Sequence, residues 1–542
     1  MKLNNKSITE ERAKWEAAGY DLPHYDREAM IEATKLSPRW IHFGAGNIFR
    51  AYQANLSQQL LNQGLADTGL IVAEGFDSEI IERVYRPCDN LSILATLKVD
   101  GTVEKTVVGS IAESYLLDAD DETQFAGLKD VFANPALQLA TFTITEKGYA
   151  ISNPQGEILP AVAADLSAGP AHPVSYIGKV VALLYERYLS GRLPIALVST
   201  DNCSHNGEKL FTAVDTYAES WVRNGKVEAG FAEYVRNPAE VGFPWTMIDK
   251  ITPRPDTSVL DLLTADGVEG LQPVVTARHT YVAPFVNAEE CEYLVVEDQF
   301  PNGRPMLERV GVMFTDRDTV NRVERMKVCT CLNPLHTALA LFGCVLGYQR
   351  ISDEMNDPSL VRLVELIGYR EGLPVVVDPG ILNPREFIDT VLQVRVPNPF
   401  MPDTPQRIAT DTSQKLSVRF GETVKAYAAS PALSVDSLRF IPLVFAGWLR
   451  YLMSIDDEGR PFTLSPDPLL NEVRPYVSDI RLGQTEGVEQ AVGPMLHNEK
   501  IFGVDLYKAG LAPRVIGYFE SMISGPGAVR RTLEEAISGS ES

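Results

Sequence analysis

The chain has 542 residues, 45% hydrophobic and 22% charged, with a net charge of −23. That length is too great for one compact core, so two domains are expected. The acidic balance argues against a nucleic-acid backbone or an anionic membrane as partner, but allows a small anionic substrate where local basic residues set the field.

The N-terminal stretch MKLNNKSITEERAKW is charged and lacks the apolar segment of a signal peptide. The longest apolar stretches, within residues 337–347 and 440–449, fall short of the roughly 20 residues that a bilayer requires. Six cysteines are sparse for this length and suit a reducing, cytoplasmic setting. Cys329-x-Cys331 has no second Cys/His pair at zinc-finger spacing, so it reads as two small apolar fillers of a helix, and no metal is expected.

Taken in chain order, Trp40–Phe43 is a short apolar run that enters Gly44-Ala45-Gly46. A helical stretch over 49–63 follows, and 70–73 is a second buried strand. Strand, glycine turn, helix and strand make one βαβ unit. Residues 91–110 alternate around Asp100-Gly101, the signature of a hairpin, so an antiparallel excursion is expected to interrupt a parallel sheet. Residues 140–145 and 194–200 are further strands. Beyond about residue 310 the periodicity is helical, over 321–347, 358–367, 384–394, 434–453, 487–496 and 511–521. The expected fold is α/β: a Rossmann-type domain with antiparallel additions over 1–310, then a mainly helical substrate-binding and catalytic domain over 311–542, with a ligand in the cleft between them.

Two of the three glycines of a dinucleotide fingerprint are present, Gly44 and Gly46, followed by Asn47, Phe49 and Arg50. Such a turn lets backbone approach a pyrophosphate at a helix start. Two acids, Glu74 and Asp77, stand near the second strand's end, where one binds the adenosine ribose. Asp77 lies 31 residues beyond Gly46. An acid there favours NAD over NADP by repelling a 2′-phosphate; capping of a helix over 78–84 is the other role open to Asp77.

The richest segment is Glu324 to His336. Lys327, Asn333 and His336 are polar groups within an apolar stretch, which is unfavourable unless they serve a purpose. Asn333 and His336 are three apart and share a helix face, as do Glu324 and Lys327. Pro334 indicates that a helix begins or kinks there.

Seven segments in one order resemble the polyol-specific long-chain dehydrogenases over roughly residues 38–455. They are the Gly44 to Arg50 turn, TITEKGY (143–149), STDNCSHNG (199–207), FPWTMIDKITP (243–253), VVEDQFPNGRP (295–305), ERMK…LNPLH (324–336) and RIATDTSQK (407–415). The resemblance implies a lysine general acid–base at Lys327. It implies that Asn202 and Asn333 hold the reacting oxygen and that His336 orients the substrate. Arg407 and Lys415 would bind the substrate chain, Glu324 would pass protons between the lysine and water, and Asp249 would lie near the site. A lysine serves as a base only where burial and nearby positive charge favour its neutral form, and Arg407 and Lys415 are the cations expected to do this.

Three departures stand out from the family pattern. Lys327 and Asn333 are separated by five residues where the family has four, a difference that a π-bulge or a break in the helix would absorb. Trp245 replaces an asparagine and Lys250 an arginine. The long chain and the variant lysine segment resemble the subgroup acting on D-mannonate and D-fructuronate, with mannitol/fructose or tagaturonate as alternatives. The resemblance thus implies an NAD-dependent, metal-independent oxidoreductase of a small sugar acid or polyol; separately, the acidic surface suits a soluble monomer or homodimer.

Overall fold

The short apolar runs of the first half become one sheet. Its strands are β1 (Trp40–Phe43), β2 (Leu70–Glu74), β3 (Ile111–Leu116), β4 (Leu139–Phe142), β5 (Ile195–Ser199) and β6 (Val241–Gly242). They lie in the order β3-β2-β1-β4-β5-β6, every neighbour parallel. This is the doubly wound dinucleotide-binding order, in which the chain reverses its direction of travel between β1 and β4. Side chains alternate between two cores. Trp40, Leu70, Val72, Leu139, Ala196 and Val198 enter one, and Ile41, Phe43, Ile71, Ala73, Ala140, Phe142 and Leu197 enter the other. Both faces are apolar, so these strands read as unbroken hydrophobic runs. Burial of each larger side chain contributes about 1.5–3 kcal/mol. Helices Glu122–Ala133, Tyr176–Leu189 and Asn206–Arg223 cover one face, and the helical stretch from Phe49 to Asn62 covers the other.

The computed structural model describes residues 1–539 and divides into two units. Unit 1 comprises Met1–Lys98 and Thr102–Asn321; unit 2 comprises Val99–Gly101 and the chain from Arg322 on. In unit 1 the expected hairpin forms as Ser92–Leu97 against Val103–Val108, with Gly101 at φ +84° in the turn. It does not join the parallel sheet. It pairs with Tyr20–Asp21 and Phe285–Glu289 in a separate four-stranded sheet. A three-stranded sheet contains Thr246–Asp249, Tyr293–Glu297 and Met313–Thr315.

Unit 2 is helical, and among its described residues the single bridge Ile455–Pro461 is the only β pairing. Asn333–Leu346 packs on Phe440–Leu452, which packs on Ala512–Met522. Gly447 permits the first contact: a Cβ there would stand 3.0 Å from the Phe342 ring. Three helices expected to be continuous contain or run into π turns, at Lys327–Cys331, Leu366–Gly372 and Val391–Arg395, and a fourth lies at Ser417–Gly421. The helix expected from 434 begins only at Phe440. There the buried Glu371 carboxylate accepts from the N–H groups of Arg439, Phe440 and Ile441, which the helix itself leaves without partners. One further expectation is corrected. Because the helical run passes through the π turn, Arg317–Leu346 is long and apolar enough to cross a membrane by length and composition, yet 78% of its apolar window is buried, as in a core helix.

Candidate active site

In unit 1 the expected residues gather at the carboxyl edge of the parallel sheet. β1 ends at Phe43 and turns at once. Gly44 has φ +104°, and a Cβ there would stand 2.3 Å from the Thr143 carbonyl oxygen, so a side chain is excluded. Its N–H donates to the Ala73 carbonyl at 2.9 Å. Gly46 is the opposite case, with no atom within 4 Å of its Cβ position. A helix starts at Asn47. Open backbone at a helix start, beside the point where strand order reverses, fits a dinucleotide pyrophosphate.

Phe49 and Arg50, expected at the cofactor, direct their side chains into the unit. Phe49 is buried and stacks on the buried His42 ring, centroids 4.1 Å apart. The buried Arg50 guanidinium donates to the Ala283 carbonyl at 2.7 Å and to Asn47 Oδ1 at 2.9 Å. These side chains brace the turn from within; motif position alone does not reveal side-chain direction.

Glu74 and Asp77 are both buried. Glu74 Oε2 accepts from Ala45 N at 2.7 Å; Oε1 accepts from Phe76 N at 2.7 Å and Asp77 N at 3.0 Å. Burial raises the Glu74 pKa despite these three bonds. Asp77 Oδ2 accepts from the Thr276 hydroxyl at 2.6 Å. Its side chain is no helix cap, since the donor at Ile80 goes to the backbone carbonyl of Asp77.

Asp201, beyond β5, joins two of the sequence landmarks. Its carboxylate accepts from Ile144 N at 3.0 Å, Thr145 N at 2.9 Å and the Tyr149 hydroxyl at 2.6 Å. Thr145 (φ 63°) and His205 (φ 52°) occupy the left-handed region at this same edge, a strain typical of functional loops. Asn202 is exposed between them in sequence. Asn206 Oδ1 accepts from Thr246 N at 3.0 Å, and Glu297 Oε2 accepts from Trp245 N at 3.0 Å. Trp245 stacks on His205, Asp249 is buried at the end of its strand, and Lys250 pairs with Glu292 at 2.7 Å.

In unit 2, Lys327 is buried at 6% exposure and opens the π turn Lys327–Cys331. The turn closes with Leu332 N donating to the Lys327 carbonyl at 3.1 Å, an i→i+5 bond. Leu332 then breaks the helix at φ −129°, and Asn333 starts the next one with Pro334 in its first turn. The extra residue between Lys327 and Asn333 is thus absorbed by a π turn and a break together. Glu324, Asn333 and His336 are half-buried.

His336 Nε2 lies 3.7 Å from Asp403 Oδ2. Burial, then the positive charges of Arg419, Arg395, Arg407 and Lys415, push its imidazole down to about 3, so the ring is neutral at ordinary pH. Arg407 pairs with Asp403, and Lys415 donates to the Thr410 carbonyl. Burial, then Arg419, lowers the Lys415 amine. Sequence reasoning named Arg407 and Lys415 but missed Arg395, Arg419 and Asp403. Arg419 was within reach, since it lies four residues beyond Lys415 on one helical stretch.

Residues 38–309 match the mannitol dehydrogenase Rossmann domain and residues 319–522 the mannitol dehydrogenase C-terminal domain. A D-mannonate oxidoreductase of Thermotoga maritima is 52% identical over 539 residues, 99% of each chain. One of Escherichia coli is 29% identical, over 81% of this chain and 85% of that protein. Among solved structures, Pseudomonas fluorescens mannitol 2-dehydrogenase in complex with NAD and D-mannitol is 28% identical. It covers 99% of this chain and 100% of its own, with TM-score 0.67.

Proposed function

The chain belongs to the mannitol dehydrogenase family, and from that premise we propose that it interconverts D-mannonate and D-fructuronate with NAD(H), Lys327 carrying the proton. The observation that carries the substrate class is the set of four cations around His336 in a chain of net charge −23. Such a cluster suits a carboxylate. The name of the 52% identical relative supports the same substrate.

The turn of Gly44 and Gly46 would hold the nicotinamide cofactor, which would supply a hydride in reduction and accept one in oxidation. In reduction the Lys327 ammonium gives its proton to the nascent alkoxide, and in oxidation the amine takes it back. The side-chain amide of Asn333 holds the reacting oxygen, a task that fixed donors perform without a metal. His336, neutral, donates to or accepts from a substrate hydroxyl. Glu324 returns protons between Lys327 and water. Asp77 faces the ribose, because both oxygens of Glu74 already accept backbone N–H groups. Its negative charge favours NAD over NADP.

The test is a panel of fructuronate, tagaturonate and fructose with NADH and NADPH, followed at 340 nm. Highest kcat/KM for fructuronate with NADH is expected. Preference for fructose would replace the acid with a polyol, and preference for tagaturonate would change the stereochemistry at the reacting chain.

A further inference from the structure

Arg407 and Lys415 have roles in binding the substrate chain, whereas Arg419, another cation near His336, has none. Arg419 lies on the π turn Ser417–Gly421, which packs against the π turn of Lys327 and the helix Asn333–Leu346. Its Nη1 donates to the hydroxyl of Thr337, the residue after His336. Thr337 in turn donates to the Asn333 carbonyl at 2.9 Å. Arg419 is therefore tied through Thr337 to the backbone of Asn333, which is assigned to the reacting oxygen.

The charges around it differ from those around its neighbours. Arg407 has Asp403, and Lys415 has Asp411 and Asp467 nearby. Among the described residues no carboxylate stands within ion-pair distance of Arg419. Burial alone pushes its guanidinium down to about 10. A desolvated cation without an acid is unfavourable in the free protein, and a bound anion removes that penalty. An arginine here, unlike a lysine, offers a planar fork that matches both oxygens of a carboxylate.

We propose that Arg419 selects sugar acids over neutral polyols by receiving the substrate carboxylate on its guanidinium fork beside Thr337. This rests on the proposed reaction. Fructose and fructuronate share one carbon skeleton, with a hydroxymethyl group in fructose where fructuronate has its carboxylate. The ratio of their kcat/KM values therefore isolates that group.

In Arg419→Gln the fructuronate-to-fructose ratio is expected to fall about 100-fold, mostly through KM for fructuronate. Arg419→Lys, which keeps the charge but not the fork, is expected to lower it about tenfold. The ratio of dissociation constants for D-mannonate and mannitol, measured by calorimetry with NADH present, should rise by a similar factor and serves where fructose turns over too slowly. Should Arg419→Gln fail to bind NADH, Arg419→Lys decides. An unchanged ratio in a variant that binds NADH overturns the assignment of Arg419. Absence of fructuronate turnover in the unmodified enzyme instead overturns the proposed reaction.

Discussion

The carboxyl edge of the parallel sheet and the π-turn region of unit 2 treat charge in opposite ways. At the sheet edge three acids are answered from within unit 1. Glu74 accepts from three backbone N–H groups, Asp201 from two and a tyrosine hydroxyl, and Glu297 from Trp245 N and Arg317. Around His336 stand four cations: Arg407 pairs with Asp403, Lys415 has Asp411 and Asp467 nearby, and Arg419 has no acid within ion-pair distance among the described residues. The first region satisfies these acids with hydrogen bonds and offers shape: an open glycine and a helix start. The second holds one cation, Arg419, that no acid among the described residues answers. A cofactor recognised through backbone suits the first, and a substrate chosen by its charge suits the second.

Lys327 is where this contrast is broken most severely. Lys327→Ala is expected to lower kcat by about three orders of magnitude while the Kd for NADH, read by fluorescence titration, stays unchanged. Near-normal turnover in that variant would remove the lysine from the chemistry.

The two glycines of the turn sharpen the claim that unit 1 recognises by shape. Gly44→Ala puts a methyl group against the Thr143 carbonyl at a left-handed φ, and a loss of at least about 3 kcal/mol is expected in denaturant unfolding. Gly46→Ala meets nothing in the protein. Its stability should match the parent while NADH affinity drops about tenfold. Equal stability losses in the two variants would erase the distinction.

Glu371 puts the same test to an acid in unit 2. Burial pushes its carboxyl up to about 7 in spite of three backbone donors. Between about pH 4.5 and pH 7 the folded protein therefore holds a proton that the unfolded chain has released. Stability should decline by up to about 3 kcal/mol as pH rises through that window. Glu371→Gln should flatten this slope, and a slope of the same size in the variant would place its origin elsewhere.

Asp201→Asn is the smallest of these changes. It keeps the shape but weakens the acceptor for Ile144, Thr145 and Tyr149, with an expected loss of about 2 kcal/mol in thermal unfolding. No loss would mean that the sheet edge is held by packing rather than by its acids.

Much of unit 1 was legible because its central strands are buried on both faces. β1, β2, β4 and β5 each appear as a short apolar run ended by glycine or polar residues. The edge strands β3 (IAESYL) and β6, with two residues, lack such a run and were not picked out. The hairpin was visible through Asp100-Gly101, whereas its pairing with Phe285–Glu289 was not, since register between distant strands leaves no local mark. In unit 2 the irregular Lys327–Asn333 spacing pointed to a π turn or a break, and both are present. The turns at Leu366–Gly372 and Val391–Arg395 shift a helical period by one residue and pass as ordinary periodicity.

The order of motifs and the alternation of apolar residues determined the family, the two-part α/β and helical plan, and the residues assigned to catalysis, because those signals lie along one dimension. Tertiary structure decided which charges are answered. Asp77 meets Thr276, Asp201 meets Tyr149, Glu371 meets the start of a helix, and Arg419 meets no acid among the described residues. Such pairings join residues far apart in the chain and depend on burial, which sets the strength of every charge and which no local pattern encodes.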